Sequence, residues 1–503
     1  MSPSQQLTIE QALSKAKKAA KQGNTAIAVK LYNAILQKQP NHPIAKKKLH
    51  ELQKGLAQNK SSEAETPNPP QDQITALVNL CNSGQMPEAE QACRELLQSY
   101  PQSLVIISVL GGALIGQGKL KDSIRLFDRT IQLNPDYAEA YYNKGFALKQ
   151  MGQLDEALKS YDRAVQLKPN YAAAYSNRGN ILNLFGQADK ALISFDKAIQ
   201  LKPDYAQAYN NRGNTLRNLG RLDEALENYD KAIQLKPDLA DTHYNRHSLL
   251  LNSQDLGPAI ECMEKAVEID PLNMNHKFIL GMLWDYSGNT QNATILFDTV
   301  ENGEGLYQAK LDAWRYIKSV TNKVPAIIGS SIDAFKLGIE AAVVDGLVLE
   351  FGVRFGTSIR QISTLADQDV YGFDSFQGLP ESWHSEAKGS YSTKGIIPSV
   401  PQNVTLHDGW FEETLPGFVE QHPEPVRFMN IDCDIYSSTK TVLENFAKQI
   451  IPGTVIVFDE YIGNEHWRED EFKAFQEAVL KYGWKYEYLC FSFMTKQAVV
   501  RIH

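Results

Sequence analysis

Through the first three fifths of the chain, apolar side chains recur at helical spacing, and the whole pattern returns every 34 residues. Pro101, Pro135, Pro169, Pro203, Pro237 and Pro271 mark the period, and the text between them nearly repeats, as in AYYNKGFALKQMGQLDEALKSYDRAVQLKPN followed by AYSNRGNILNLFGQADKALISFDKAIQLKPD. Each unit predicts a helix, a turn centred on Gly152, Gly186 or Gly220, and a second helix that stops before proline, which lacks the amide hydrogen a helix interior needs. Gly145, Gly179 and Gly213 leave room for the two helices to approach. Leu148, Leu158 and Ala164 lie on apolar stripes that one hairpin cannot bury alone. The hairpins are therefore expected to stack into an α-superhelix over 71–307, with one further unit in a helical segment at 1–52 and a polar, proline-rich linker at 53–70.

Beyond 307 the period fails, and short apolar runs alternate with helical stretches, the signature of a parallel sheet covered by helices. After connecting helices at 308–334, LVLEFGV at 347–353 predicts a buried strand, TSIRQISTLA a helix and DVYGFDSF the next strand. VTLHDGW, VRFMNID, TVIVFDE, YEYLCFSFM and KQAVVRI complete a mostly parallel, doubly wound sheet of seven strands over 335–503.

Composition narrows the setting. The 503 residues carry 51 basic and 59 acidic side chains, a formal charge of -8, which offers phosphate backbones or anionic membranes no overall attraction. Nucleic acid and membrane partners are not expected. Five cysteines without paired spacing, an N-terminus without a signal-peptide core and no apolar run of membrane length predict a cytoplasmic protein.

Two groups of residues then suggest chemistry. In the repeats, Asn143, Asn177, Asn211 and Asn245 share one helix position, each followed by Lys144, Arg178, Arg212 or Arg246. Side-chain amides in such a ladder can hold the backbone of an extended protein or peptide partner, with the cations drawing carboxylates; the same residues can equally tie one helix to the next. In the second half, the first strand runs into Glu350, Gly352 and Gly356 in EFGVRFG, where absent β-carbons admit a ligand to the backbone and a helix start presents free amides. The spacing is not that of a dinucleotide fingerprint. About 20 residues on, Asp374 ends a strand where a carboxylate can accept both hydroxyls of a ribose, so a nucleoside without pyrophosphate, such as S-adenosylmethionine, meets these demands. Asp432 and Asp434 end one later strand, Asp459 and Glu460 the next. Carboxyl ends of parallel strands face the ligand crevice, so Asp432, Asp459 and Glu460 are candidate oxygen ligands for Mg²⁺; a metal-free hydrogen-bond network is the alternative.

These motifs carry two resemblances. The 34-residue units resemble tetratricopeptide repeats, which implies protein binding without naming a partner. LEFGVRFGTSI, YGFDSFQGLPE, GWFEETLP, IDCDIYSST and VIVFDEY, in that order, resemble the macrocin O-methyltransferase family of class I S-adenosylmethionine-dependent enzymes. That resemblance implies hydroxyl methylation of small molecules, notably sugars, with Mg²⁺; a cofactor pocket shaped by Glu350, Gly352 and Gly356 with Asp374 on the ribose; and Asp432, Asp459 and Glu460 as metal ligands, with Asp432 also the base; Ser375 and Asp408 are further cofactor candidates. The family often has two adjacent aspartates where this chain has Asp459 and Glu460. The polar stretch 378–395 reads as a lid or an ordinary exposed loop, with Trp383 and His384 as acceptor contacts or surface packing, and Tyr461 beside the acidic strand either shapes the acceptor site or packs over the sheet edge. A cofactor-binding but inactive scaffold, and a protein methyltransferase whose repeats recruit its substrate, are the competing readings.

Overall fold

A computed structural model describes residues 9–21, 25–39, 42–49, 51, 68–251, 255–303, 305–321 and 324–503. Most of the expected linker at 53–70 lies outside the described residues. The chain divides into two compact units, Met1–Leu133 and Asn134–His503. In the first, helices Ile9–Lys21 and Thr25–Lys38 bury Ala16, Ala28, Tyr32 and Ile35 in a core of their own, as expected of one early hairpin. Four further helices, Gln71–Asn82, Met86–Ser99, Leu104–Gly116 and Leu120–Leu133, follow.

The second unit opens with helical hairpins in the predicted places: 138–150 with 154–167, 172–184 with 188–201, 206–218 with 222–235, 240–249 with 257–269, and 274–286 with 290–301. Their packing explains the repeated glycines. A β-carbon on Gly179 or Gly213 would stand 2.7 Å from the Phe195 ring or 2.6 Å from the Tyr229 ring, so an aromatic of the second helix occupies the space each glycine leaves on the first. Gly186 and Gly220 turn the chain at φ +65° and +75°.

The arginines of the ladder stitch the stack. Arg178 Nε donates to Asp162 Oδ1 at 2.6 Å and its second arm to Ser194 Oγ at 2.8 Å. Arg212 repeats this with Asp196 and Asn228, and Arg246 with Asp230 and Cys262. The amides also look inward: Asn177 donates to the Tyr142 hydroxyl at 3.1 Å and Asn245 to Asn210 at 3.0 Å, each reaching the preceding repeat. The helix-tying reading thus accounts for all three arginines and for two of the asparagines.

The α/β part holds eight strands: β1 (Ala326–Ile327), β2 (Leu347–Phe351), β3 (Val370–Asp374), β4 (Val404–Asp408), β5 (Val426–Ile431), β6 (Val455–Phe458), β7 (Tyr486–Phe491) and β8 (Ala498–Ile502), in spatial order β1-β7-β8-β6-β5-β2-β3-β4. The seven expected strands are all present. The eighth, β1, is a two-residue edge strand parallel to β7, too short to carry a pattern in sequence. Only β8 runs antiparallel to its neighbours. Helices α1 (Ser331–Ala341), α2 (Thr357–Ala366), α3 (Phe411–Gln421), α4 (Tyr436–Asn445) and α5 (Glu471–Tyr482) cover the two faces.

Repeats and sheet are not packed separately. One apolar core runs from Met263, Phe278 and Leu283 through Trp314 to Phe351, Phe458 and Phe491. Phe278 meets Phe493 edge-on at 5.0 Å, and helix Gly305–Val320, in the expected connector, buries Leu311, Trp314 and Ile317 in this core. The repeat turns dock as well: Gly186 abuts Phe355, Gly220 abuts Ile332, and Gln361 donates to the Asn218 carbonyl at 2.7 Å. The boundary expected at 335 is therefore a change of architecture inside one packed unit. Among the described residues no helix is long and apolar enough to cross a membrane.

Candidate active site

The chain passes from β2 outward through β3 to β4, then returns to the other side of β2 as β5 and β6, so the strand order reverses between β2 and β5. Loops at such a reversal splay apart and leave a crevice at the carboxyl ends of the strands. Phe351 of β2 pairs with Ile431 of β5, so the next residues, Gly352 and Asp432, emerge side by side. Gly352 has φ +94°, and a β-carbon there would sit 1.8 Å from the Asp432 carbonyl oxygen; glycine is demanded by this approach before any ligand is considered.

A cavity of about 300 Å³ opens at this point, lined by Gly352, Asp374, Ser375, Trp410, Asp432, Asp434, Asp459 and Glu460 among others, with Gly378, Leu379, Pro380 and Tyr391 contributed by the 378–395 stretch. Its size lies at the lower end of small-molecule sites. Asp374 is clamped by the backbone: Oδ2 accepts from Arg354 N at 2.7 Å and Oδ1 from Phe376 N at 2.6 Å. Arg354, Tyr391 and Asp434, all lining this opening, adopt left-handed backbone (φ +46°, +65° and +63°), strain of the kind that collects at functional sites.

The carboxylates here are poorly compensated. Burial, then the charge of Asp459, pushes Asp432 well above its ordinary range. Burial, followed by the neighbouring Glu460, brings Asp434 and Asp459 up to about 7. Glu350 is fully buried beneath them; Oε1 accepts from Asn430 at 3.1 Å, Oε2 has no partner, and burial raises its pKa to about 8. Glu471, at the start of α5, is buried too and raised by burial; it accepts from the Glu460 backbone N at 3.2 Å, while its Oε1 has no partner.

Comparison with known proteins matches residues 349–461 to the family model described as a methyltransferase domain. Tetratricopeptide-repeat models match 111–152, 138–171, 172–205, 194–227, 213–254 and 240–271. The chain is a tetratricopeptide-repeat array fused to a class I methyltransferase domain. A similar curated protein is 8-demethyl-8-(2,3-dimethoxy-alpha-L-rhamnosyl)-tetracenomycin-C 4'-O-methyltransferase of Streptomyces olivaceus, 26% identical over 161 residues, covering 26% of this chain and 59% of that relative. The chain thus spans about three fifths of the relative's length. Similar solved structures include YrrB, described as a TPR protein with an unusual peptide-binding site (22% identity, 37% of this chain, 96% of that chain, TM-score 0.30), and CalS11, a calicheamicin methyltransferase (23% identity, 34% and 77%, TM-score 0.29).

Within the methyltransferase domain, Gly352, Asp374, Ser375, Asp432, Asp459 and Glu460 line one cavity. Six expected cofactor or acceptor residues do not line it. Gly356 caps α2 at φ +74°, Glu350 lies beneath the strand ends, and Asp408 is exposed while the following Gly409, Trp410 and Phe411 form the wall. Tyr461 is core: its hydroxyl lies 2.9 Å from that of Tyr488 and packs under the sheet edge rather than towards an acceptor. The 378–395 stretch contributes Leu379 and Tyr391, whereas Trp383 and His384 are not in the lining, His384 stacking on His466 at 3.9 Å.

The metal expectation meets a specific obstacle. Both oxygens of Glu460 are held by Lys496 Nζ, at 2.9 and 3.0 Å, and Asp459 Oδ1 accepts from Gln497 at 2.7 Å. In this arrangement Asp432, Asp459 and Glu460 do not bring three ligand atoms together; among the described residues the set that does is His384, His466 and Glu469. Lys496 and Glu471 escaped the sequence because each reaches the crevice through the fold, 36 and 11 residues from Glu460, with no shared motif. Arg354 lay inside EFGVRFG, and its position between two expected glycines was the one available signal.

Proposed function

We propose that the methyltransferase domain transfers a methyl group from S-adenosylmethionine to a hydroxyl of a small molecule, a sugar among them, with Asp432 as the base. The observation that carries this reading is that Asp374, Gly352 and Asp432 line one cavity at the sheet's reversal point. When bound, S-adenosylmethionine supplies a methyl carbon on a cationic sulfur. Asp374, oriented by two backbone amides, keeps lone pairs for the ribose hydroxyls. Trp410 and Phe411 offer an apolar wall suited to a purine. Asp432 would take the acceptor's hydroxyl proton as the acceptor oxygen displaces the sulfur, the methyl–sulfur bond breaking to leave a neutral thioether; burial and the charge of Asp459 raise its pKa, which makes its carboxylate form a stronger base than a solvent-exposed aspartate. The curated relative is named for methylating a rhamnosyl hydroxyl, and this supports sugar as the acceptor class.

Asp432 and Asp459 present the oxygen donors a hard cation takes, so Mg²⁺ held by this pair, joined by Glu460 once Lys496 releases it, would polarise the acceptor oxygen and offset the crowded charge. The repeats are assigned to recruiting a protein segment, with the ladder amides exchanging neighbour bonds for a peptide backbone.

Calorimetric titration of the full chain with S-adenosylmethionine, S-adenosylhomocysteine and NAD tests the cofactor, and transfer of labelled methyl to a panel of glycosides tests the reaction. Selective NAD binding overturns the proposal. Cofactor binding without transfer to any small molecule or protein turns the domain into a binding module. Recovery of partners that is unchanged by Asn177→Ala with Asn211→Ala removes the ladder from recruitment.

A further inference from the structure

We propose that His384, His466 and Glu469 form a binding site for a borderline transition-metal ion, Zn²⁺ or its like, that clasps the lid to the opposite wall of the crevice. The three residues come from two loops far apart in sequence. His384 lies in the 378–395 lid, between Pro380 and Tyr391, which both line the cavity; His466 and Glu469 lie on the segment that runs from Asp459 and Glu460 to the start of α5. Their ligand atoms all fall within 4.8 Å of one another, and His466 Nδ1 is already 3.8 Å from a Glu469 oxygen.

Three observations make this more than a chance meeting of surface side chains. Asp470 is 5% exposed, and its Oδ2 lies 3.0 Å from His384 Nε2. A buried carboxylate holding one ring nitrogen sets the tautomer and turns the other nitrogen outward, the outer-shell arrangement that metal-binding histidines use. His384 also sits at φ +49°, a conformation costly for a side chain of this kind, and this backbone delivers its ring to His466. The rings then meet in a stack, 3.9 Å apart with 14° between their planes; an imidazole lone pair lies in the ring plane, so the two take one ion by turning out of this stack about their side-chain bonds. The neighbouring cation, Arg468, is drawn away by Asp312 at 2.9 Å and lies over the Trp467 ring.

Two imidazoles and one carboxylate are the donors of zinc-type sites, with a fourth position left for water, whereas Mg²⁺ prefers oxygen alone. The site is therefore distinct in chemistry from the acidic strand ends. An ion here joins lid and wall and restricts entry to the cavity. The inference needs no methyl transfer, and its readouts are independent of that reading.

The full chain, stripped with chelator and freed of it, is titrated with Zn²⁺ by calorimetry and with Co²⁺ by visible absorption. One ion is expected to bind at micromolar concentration, giving Co²⁺ bands of a four- or five-coordinate site that excess Mg²⁺ leaves in place. His384→Ala and His466→Ala each weaken binding by about tenfold or more, and Glu469→Gln by less. With the unsubstituted chain, Zn²⁺ is expected to slow tryptic cleavage after exposed Lys388 in the lid. Absence of Zn²⁺ binding, or binding and protection unchanged in the folded His384→Ala, His466→Ala double variant, overturns the proposal.

Discussion

The repeat array and the sheet crevice treat polar side chains in opposite ways. In the array every ladder arginine is spent on its neighbours: Arg178, Arg212 and Arg246 each bridge an aspartate 16 residues before and a polar atom 16 residues after. In and beneath the crevice, buried carboxylates crowd together, and among the described residues Glu350 Oε2 and Glu471 Oε1 have no hydrogen-bond partner. An unpaired buried polar atom costs about 1–3 kcal/mol. The array keeps unpaired buried atoms too, on Tyr161, His247 and His276; what sets the crevice apart is that its unpaired atoms belong to carboxyls crowded against one another.

The sharpest test of that contrast is Asp432→Asn. The side chain keeps its size and loses its basicity, so kcat for methyl transfer should fall by about 10²–10⁴-fold while the calorimetric affinity for S-adenosylmethionine hardly moves. An equal loss in both would make Asp432 a structural residue like those of the array.

Gly352→Ala should damage the fold itself. The new β-carbon would meet the Asp432 carbonyl oxygen at 1.8 Å on a backbone at φ +94°, and urea unfolding should report a loss of about 3 kcal/mol. The alanine substitution at Gly152, where nothing lies within 4 Å, should cost less and leave cofactor binding alone.

The crowded carboxyls also predict a pH signature. Glu350 titrates near 4.5 in the unfolded chain and at about 8 in the folded one, so between these values the folded state holds the extra proton. Stability from this group is complete below about pH 4.5 and is lost as pH rises through about 8. Asp434 and Asp459, raised to about 7, act in the same direction over a lower window. Thermal midpoints of the metal-free chain should therefore decline from pH 5 to about 8.5. Glu350→Gln should flatten the decline, and Mg²⁺ should narrow it if the strand-end site binds the ion.

Smallest of all, Arg212→Ala should lower stability by only about 0.5 kcal/mol, because Asp196 is more than half exposed and water screens the pair. A much larger loss, or loss of a bound protein with unchanged stability, would move this arginine from scaffold to ligand contact.

Much of this was legible in the order of the residues. A repeat of 34 states its own hairpins, because each unit must bury the same stripe, and Pro169, Pro203 and Pro237 mark where the second helices end. The buried strand run LVLEF, the glycine after it and the acidic strand ends were equally plain, since strand ends are local and a parallel sheet delivers them to one side. Tertiary structure alone decided the rest. Whether Glu460 faces a metal or Lys496, whether Asp408 or Trp410 walls the cavity, whether Tyr461 is acceptor contact or core, and that His384 meets His466 all depend on segments brought together across tens of residues. Side-chain direction at a loop is set by what packs against it, and one strand's sequence carries no record of the loop that will lie opposite.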